Sequence, residues 1–362
     1  MKSKTELKNF LLKCLNPIFL TKVLAFLIGK IIERQKRYFK PYKFYPFIVK
    51  EAYSKLNKKE IKFKNVEIEE YTIDECELIL CTDTFSFKKE SDWVIEFKDQ
   101  EYTFALHRWN WLLTSLSNNT NNPAREWGLN MMRSWVNNMM DSQKSYAWHP
   151  YTTGERISNA FMFGILTMED KINMPLDEAL PSDIKASLNI MAEYLSYNLE
   201  YKGSGKTGNH VINNSRALLF ASILLNNNSF SILSYSILKE SLHDLISDDG
   251  FLREGSSHYQ FIFTRWILEM FWISRIANKK DIYNIINIYI YKLLEQCHFF
   301  VIKDSDDFIK IPTIGDISPD FPVEWIISVP YSKIANEIYD NYEIRNSKNS
   351  YYGWAPLMDR LQ

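Results

Sequence analysis

The sequence predicts a mainly α protein assembled from helical hairpins, with a small α/β region towards its N-terminal end. Three observations predict it. Gly and Pro are scarce, at 11 and 12 of 362 residues, which disfavours a turn-rich all-β fold. Apolar residues recur at helical spacing from Pro123 to about residue 300. Short β-rich runs are confined to Ile61–Phe104. The hydrophobic share of 46% and charged share of 24% are those of a folded chain with a sizeable core.

The elements follow in order. Residues 1–60 read as helices with basic faces and hold 15 Lys/Arg against 4 Asp/Glu. That local +11 sits on a chain of net charge -1, so the remaining residues carry -12. A basic arm on an acidic body does not describe a nucleic-acid binder. The arm could touch an anionic membrane surface or polymer, or be a solvated arm packed on the body. Pro17–Ile32 is interrupted by Lys22 and Lys30 and is shorter than the ~20 apolar residues of a membrane span. No small-x-small cleavage site follows it, so a signal peptide is not expected. The expected location is cytoplasmic or peripheral to a membrane. Four cysteines show neither metal spacing nor a disulfide framework.

Within Ile61–Phe104, Leu78-Ile79-Leu80 and Trp93–Phe97 are β-rich and read as short strands or irregular extended segments. Trp127, Met131, Trp135 and Met139 recur every four residues and define one helix face. Residues 182–200 open on Ser182 and Asp183, both good N-caps. Helices are expected over Asn209–Leu225, Ser229–Ile246, Tyr259–Ala277 and Asp281–Phe300, with no exact repeat period. Residues 301–320 read as a turn-rich loop. The expected division is 1–105, a basic arm with extended segments; 106–320, the helical domain; and 321–362, a tail or the start of a truncated β-sandwich.

Chemistry-bearing residues fall in a few places. Gly203–Thr207 imitates the end of a phosphate-binding loop, but Glu200 stands where that motif needs Gly, and a helix rather than a strand precedes it. Asn209 and His210 stand at a helix start. They are either a cap and a satisfied polar residue, or an amide and imidazole that bind a polar or anionic group. Arg253, Glu254, His258 and Tyr259 crowd a loop entering a helix. A Tyr used as a proton shuttle must be tuned from its reference pKa of about 10, and nearby cations do that. Trp148 and His149, with Arg156, mix aromatic rings and cations. That suits a sugar ring and its carboxylate as well as it suits helix packing.

Together and in this order, these pieces resemble the heparinase II/III-like polysaccharide lyases, a family that includes heparinase and alginate lyases. The resemblance rests on Trp148 through Arg156, Gly208-Asn209-His210 with Arg216-Ala217-Leu218, Asp249-Gly250 through Glu254, Ser256 and Tyr259, and Gly315-Asp316 with Ser318-Pro319-Asp320. It implies an incomplete (α/α) toroid followed by a β-sandwich, and β-elimination on a uronate-containing acidic polysaccharide or oligosaccharide. By resemblance Asn209 and His210 neutralise the uronate carboxylate, and Tyr259 is the acid and also a candidate base. Arg253, Glu254, Arg156, His149, Trp148 and His258 become supporting or sugar-binding positions. No metal or other cofactor is called for. The sequence departs from the family at Gln260, where a His is common, and at Ser257-His258, where Pro and an apolar residue are common. About 40 residues follow the Gly315-Asp316 motif, fewer than the ~100 of a sandwich. That leaves two expectations: a lyase, or a non-catalytic binder of anionic glycan in surface-polysaccharide assembly. A third is a membrane-surface scaffold using residues 1–60.

Overall fold

In the computed structural model, the described residues are 46–317, apart from 55, 57–60, 62, 64–65, 82, 119–124, 143–144, 169–174, 202–206 and 304–308. Most of the basic arm, most of Gly203–Thr207, Ser318–Asp320 and the tail lie outside the described residues. A short helix α1 (Phe47–Ser54) precedes an antiparallel hairpin, β1 (Cys76–Leu80) and β2 (Asp83–Phe87), in which Leu78 faces Phe85. Ten helices follow among the described residues: α2 (Gln100–Arg108), α3 (Asn110–Asn118), α4 (Arg125–Met139), α5 (Pro150–Leu166), α6 (Ser182–Tyr197), α7 (His210–Leu224), α8 (Asn228–Leu245), α9 (Ser257–Ile276), α10 (Lys280–Asn287) and α11 (Ile290–Phe299). A two-residue ladder, β3 (Ile302–Lys303) with β4 (Ile309–Lys310), is the last regular pairing before the loop 311–317. No helix among the described residues is long and apolar enough to cross a membrane.

The mainly helical class is as expected, and several elements differ. Trp93–Phe97 is not a strand. The Asp92 carboxylate accepts the backbone N–H groups of Lys88 (2.8 Å) and Lys89 (3.2 Å), which folds Glu90–Val94 into a 3-10 turn. The boundary expected at 105 falls inside α2. That helix starts at Asp99, whose side chain caps the Glu101 N–H at 3.0 Å. Pro181, not Ser182, holds the N-cap position of α6. Asp183 instead accepts from Arg133 at 2.7 Å and from the Glu69 N–H at 3.3 Å, pinning the extended segment before β1 to α4 and α6. The helix expected over Asp281–Phe300 is divided at Ile288–Tyr289.

The core is layered about α5 and α7. Helix α7 packs on α5, α6, α8 and α9, and every residue from Val211 to Leu224 is buried. A helix enclosed on all sides must satisfy its polar groups internally. Arg216 does so with two carboxylates: Glu269 of α9 at 2.6 Å and Glu155 of α5 at 3.0 Å. Glu269 also accepts from Arg265 at 2.8 Å, and Arg265 reaches Asn159 at 3.0 Å. Two guanidinium groups and two carboxylates thus balance in charge where three helices meet. Paired and hydrogen-bonded in this way, buried charges are tolerated; losing one partner is what costs several kcal/mol.

Candidate active site

The start of α7 and the loop entering α9 meet at one cleft. Asn209 sits at the N-cap position of α7 but does not cap it. Its backbone N–H donates to Glu254 Oε1 at 2.9 Å, and its side-chain amide donates to Glu254 Oε2 at 2.8 Å. A carboxylate in front of a helix N-terminus is favoured by the free N–H groups there. Gly208 makes the approach possible: a Cβ there would stand 2.8 Å from Glu254 Oε1. The sequence thereby holds the Asn209 amide in one orientation.

His210 is held from the other side. Its Nδ1 is 2.9 Å from Glu200 Oε1, while Asn214, one turn along α7, donates to Glu200 Oε2 at 3.1 Å. The Asn214 side-chain oxygen Oδ1 accepts the Glu200 backbone N–H at 2.9 Å. Burial pushes the Glu200 carboxyl up, but the hydrogen bond and charge of His210, the charge of His149 and the Asn214 amide together hold it below its usual range. An ionised carboxylate only accepts, so the proton lies on His210 Nδ1 and Nε2 is left for a ligand. The Tyr151 ring lies 4.5 Å from the imidazole, and the Arg108 guanidinium lies 4.8 Å from the Tyr151 ring.

Tyr259 stands in the first turn of α9, its N–H accepted by Ser256 Oγ at 3.1 Å. The Ser256 hydroxyl donates in turn to the Asp316 carbonyl, and the Ser257 N–H donates to the Ile314 carbonyl at 3.0 Å. The loop 311–317 is thus strapped across the start of α9. Gly315 is required there: its φ is +72°, and a Cβ would meet the Gly255 carbonyl oxygen at 2.8 Å. The cleft that results, about 300 Å³, is lined by Glu200, Gly208, Asn209, His210, Glu254, Tyr259 and Asp316.

The expected site residues separate into two groups. Asn209, His210, Glu254 and Tyr259 come together. His149 is exposed, packs edge-on against Phe104 at 5.6 Å and acts on Glu200 through its charge. Arg253 is exposed and His258 half-buried, and neither lines the cleft. Trp148 and Arg156 do not serve the cleft, which corrects the expectation of sugar contact. Trp148 is 1% exposed among Trp135, Tyr194 and Phe63. Arg156 is wholly buried, donates to the His107 and Ala147 carbonyls at 2.9 and 2.8 Å, and lies 4.0 Å from the Trp135 ring. Burial brings its pKa down to about 9, so it remains charged near neutrality.

Glu200 is the cleft residue the sequence hid: it lies ten positions before His210, and no motif in the sequence pointed to it. A larger groove of about 750 Å³ runs beside residues 66–72. Its guanidinium, Arg133, is already engaged by Asp183 and Glu69. Burial pushes Asp183 up, yet the Arg133 hydrogen bond leads the contacts that hold it low, so this groove reads as a structural joint. Among the described residues no group of His, Cys, Asp or Glu is arranged to hold a metal ion.

Comparison with protein families matches the chain over residues 33–320 to the family described as Heparinase II/III N-terminus. Comparison with the curated proteins and with the solved structures gives no significant match.

Proposed function

The chain belongs to the heparinase II/III N-terminus family, and on that premise we propose that its cleft cleaves a uronate-containing glycan by β-elimination. The observation that carries the proposal is the convergence of Asn209, His210 and Tyr259 on one cleft of about 300 Å³. The proton alpha to a carboxylate is weakly acidic. It becomes removable when the carboxylate charge is neutralised and the enolate-like charge that develops is stabilised by fixed donors. Asn209 supplies an amide that does not titrate, oriented by Glu254. His210 serves as an imidazolium, its Nδ1–H held by Glu200 and its Nε2–H donated to the uronate carboxylate.

Tyr259 acts as the proton shuttle. Its phenolate oxygen takes the alpha proton, the electron pair forms the carbon–carbon double bond, and the bond from the beta carbon to the glycosidic oxygen breaks. The same oxygen returns the proton to the leaving glycosidic oxygen, so atoms and charge balance without an added co-reactant. The products are an unsaturated uronate at one new chain end and a free hydroxyl at the other.

The test is the purified chain incubated with a panel of uronate polysaccharides while ultraviolet absorbance of the unsaturated uronate is followed. The expected result is a rise that Tyr259→Phe abolishes without altering the circular dichroism spectrum. Equal turnover by Tyr259→Phe would overturn the assignment of Tyr259. Saturable binding that creates no new chain ends would replace the lyase by a glycan-binding protein.

A further inference from the structure

Glu200 fixes the His210 ring in one direction only. Nδ1 meets Glu200 Oε1 at 2.9 Å, while 37% of the His210 side chain stays exposed. The torsion that turns an imidazole about its Cβ–Cγ bond is broad, so one hydrogen bond at Nδ1 leaves the plane of the ring free to swing. The aim of Nε2 then depends on a second contact, and Tyr151 makes it: the two ring centres are 4.5 Å apart and the planes are tilted by 46°. Tyr151 is itself held firmly. It stands in the first turn of α5 and is 7% exposed. Its carbonyl oxygen accepts from the side-chain amide of Asn213, one turn after His210 on α7, at 3.0 Å. Gly154, one turn after Tyr151, lets α5 and α7 close: a Cβ there would stand 3.0 Å from Asn213 Nδ2 and 3.4 Å from the Asn213 carbonyl oxygen. The Tyr151 ring also meets Trp266 edge-on at 5.9 Å, and Trp266 follows Tyr259 by two turns of α9. One buried ring thus touches both helices that carry the reacting groups, without being among the described lining residues of the cleft.

We propose, resting on the lyase reading above, that Tyr151 is a positioning residue: its ring sets the plane of the His210 imidazolium and so aims Nε2–H at the uronate carboxylate. The flat face performs this, not the hydroxyl. A cation against an aromatic face is attracted by it as well as blocked by it, which holds the imidazolium more firmly than packing alone. The carboxylate oxygens gain negative charge as the alpha proton leaves. A misdirected donor therefore costs more in the transition state than in the bound substrate, and the loss falls on kcat more than on KM.

The experiment uses the full chain with Tyr151→Phe, which keeps the ring, and Tyr151→Met, which fills much of the space without a flat face. The first readout needs no substrate. In protein labelled at histidine, 13C relaxation at Cε1 reports how far the His210 ring moves, and His210→Gln identifies the signal. The ring is expected to be as ordered as the α7 backbone in the wild type and in Tyr151→Phe, and mobile in Tyr151→Met. The second readout is turnover of the uronate polymer the wild type uses best. Tyr151→Phe should stay within about twofold of the wild type, while Tyr151→Met should lose about tenfold or more in kcat with KM within about threefold. An ordered His210 in folded Tyr151→Met, or equal losses in both variants, would overturn the proposal. Where Tyr151→Met does not fold, the wild type decides: an ordered imidazole with nuclear Overhauser contacts to the Tyr151 ring upholds the proposal, and a mobile imidazole or one without those contacts overturns it. Turnover of no uronate polymer by the wild type would overturn the lyase reading, and the relaxation result would still decide whether Tyr151 holds His210.

Discussion

Glu200 is the residue on which the orientation of His210 depends. Replacing it with Gln keeps its size but removes the charge that fixes the Nδ1 proton. A hydrogen bond to a charged group contributes about 1.5–3 kcal/mol, so Glu200→Gln is expected to lower kcat/KM roughly ten- to a hundredfold. The check is steady-state kinetics beside a thermal melt; an unchanged kcat/KM in a folded variant would remove Glu200 from the site. Arg156 makes the opposite case. In the sequence it reads as well as a sugar-binding cation as it does a packing residue, because charge and neighbouring Trp residues suit both. Three-dimensional enclosure decides it: with 0% exposure its partners are internal, two backbone carbonyls, the Met191 sulfur, the Thr153 hydroxyl and aromatic rings. Arg156→Lys loses the Nε contact to the Met191 sulfur at 3.3 Å and the flat guanidinium packed on the Trp135 ring, and is expected to lose about 2–3 kcal/mol of stability in urea unfolding. Glycan affinity of the folded fraction should stay unchanged; a selective loss of affinity would restore Arg156 to the site.

At the scale of elements, α7, α8 and α9 were legible to within about two residues because their boundaries carry Asn, Asp-Gly and Ser signals. What α7 does with its polar residues was not legible. Asn213, Asn214 and Arg216 look like a solvated face until the partners Tyr151, Glu200, Glu155 and Glu269 are seen, and these come from three other segments. The junction of α2 and α3 escaped for another reason. Trp109 takes a φ of +61° there, a conformation that Gly would have advertised and Trp does not. The break after α10 likewise has no Pro or Gly to announce it. Gly208, by contrast, stood in a motif the sequence singled out, and the structure gives it a physical purpose, room for the Glu254 carboxylate. Gly208→Ala would push the Glu254 carboxylate off the Asn209 amide. The atom displaced is the end of a side chain, so stability should change by less than about 1 kcal/mol, in line with a surface substitution. Under the proposed function kcat/KM should fall at least tenfold. A large loss of stability with normal specific activity would show that Gly208 serves folding alone.

For the molecule as a whole, the same density of aromatic packing that encloses Arg156 makes stability depend on pH. His107 is buried beside it, accepts the Trp135 indole N–H on Nδ1 at 3.0 Å, and is brought down to about 3, first by burial and then by the Arg156 charge. His298 is brought down to about 4 by burial. Both pKa values are depressed below the ~6.5 of an unfolded chain, so between the two limits the unfolded state binds more protons. Their contribution is therefore complete above pH ~6.5 and is lost as pH falls towards the folded values. From pH 7.5 to pH 5 each histidine removes about 2 kcal/mol, at 1.36 kcal/mol per unit. Glu200 and Asp183, held low in the folded state, add their losses only below about pH 4, the ordinary carboxylate range, so the histidines govern the first part of the acid limb. Urea unfolding at pH 7.5 and pH 5 should show a drop of about 4 kcal/mol in the wild type. His107→Gln keeps an acceptor within reach of the Trp135 indole but cannot protonate, so its drop should be about half as large. An unaltered drop in that variant would mean that His107 is protonated within the fold. It would contradict the acceptor role that the Trp135 indole gives Nδ1.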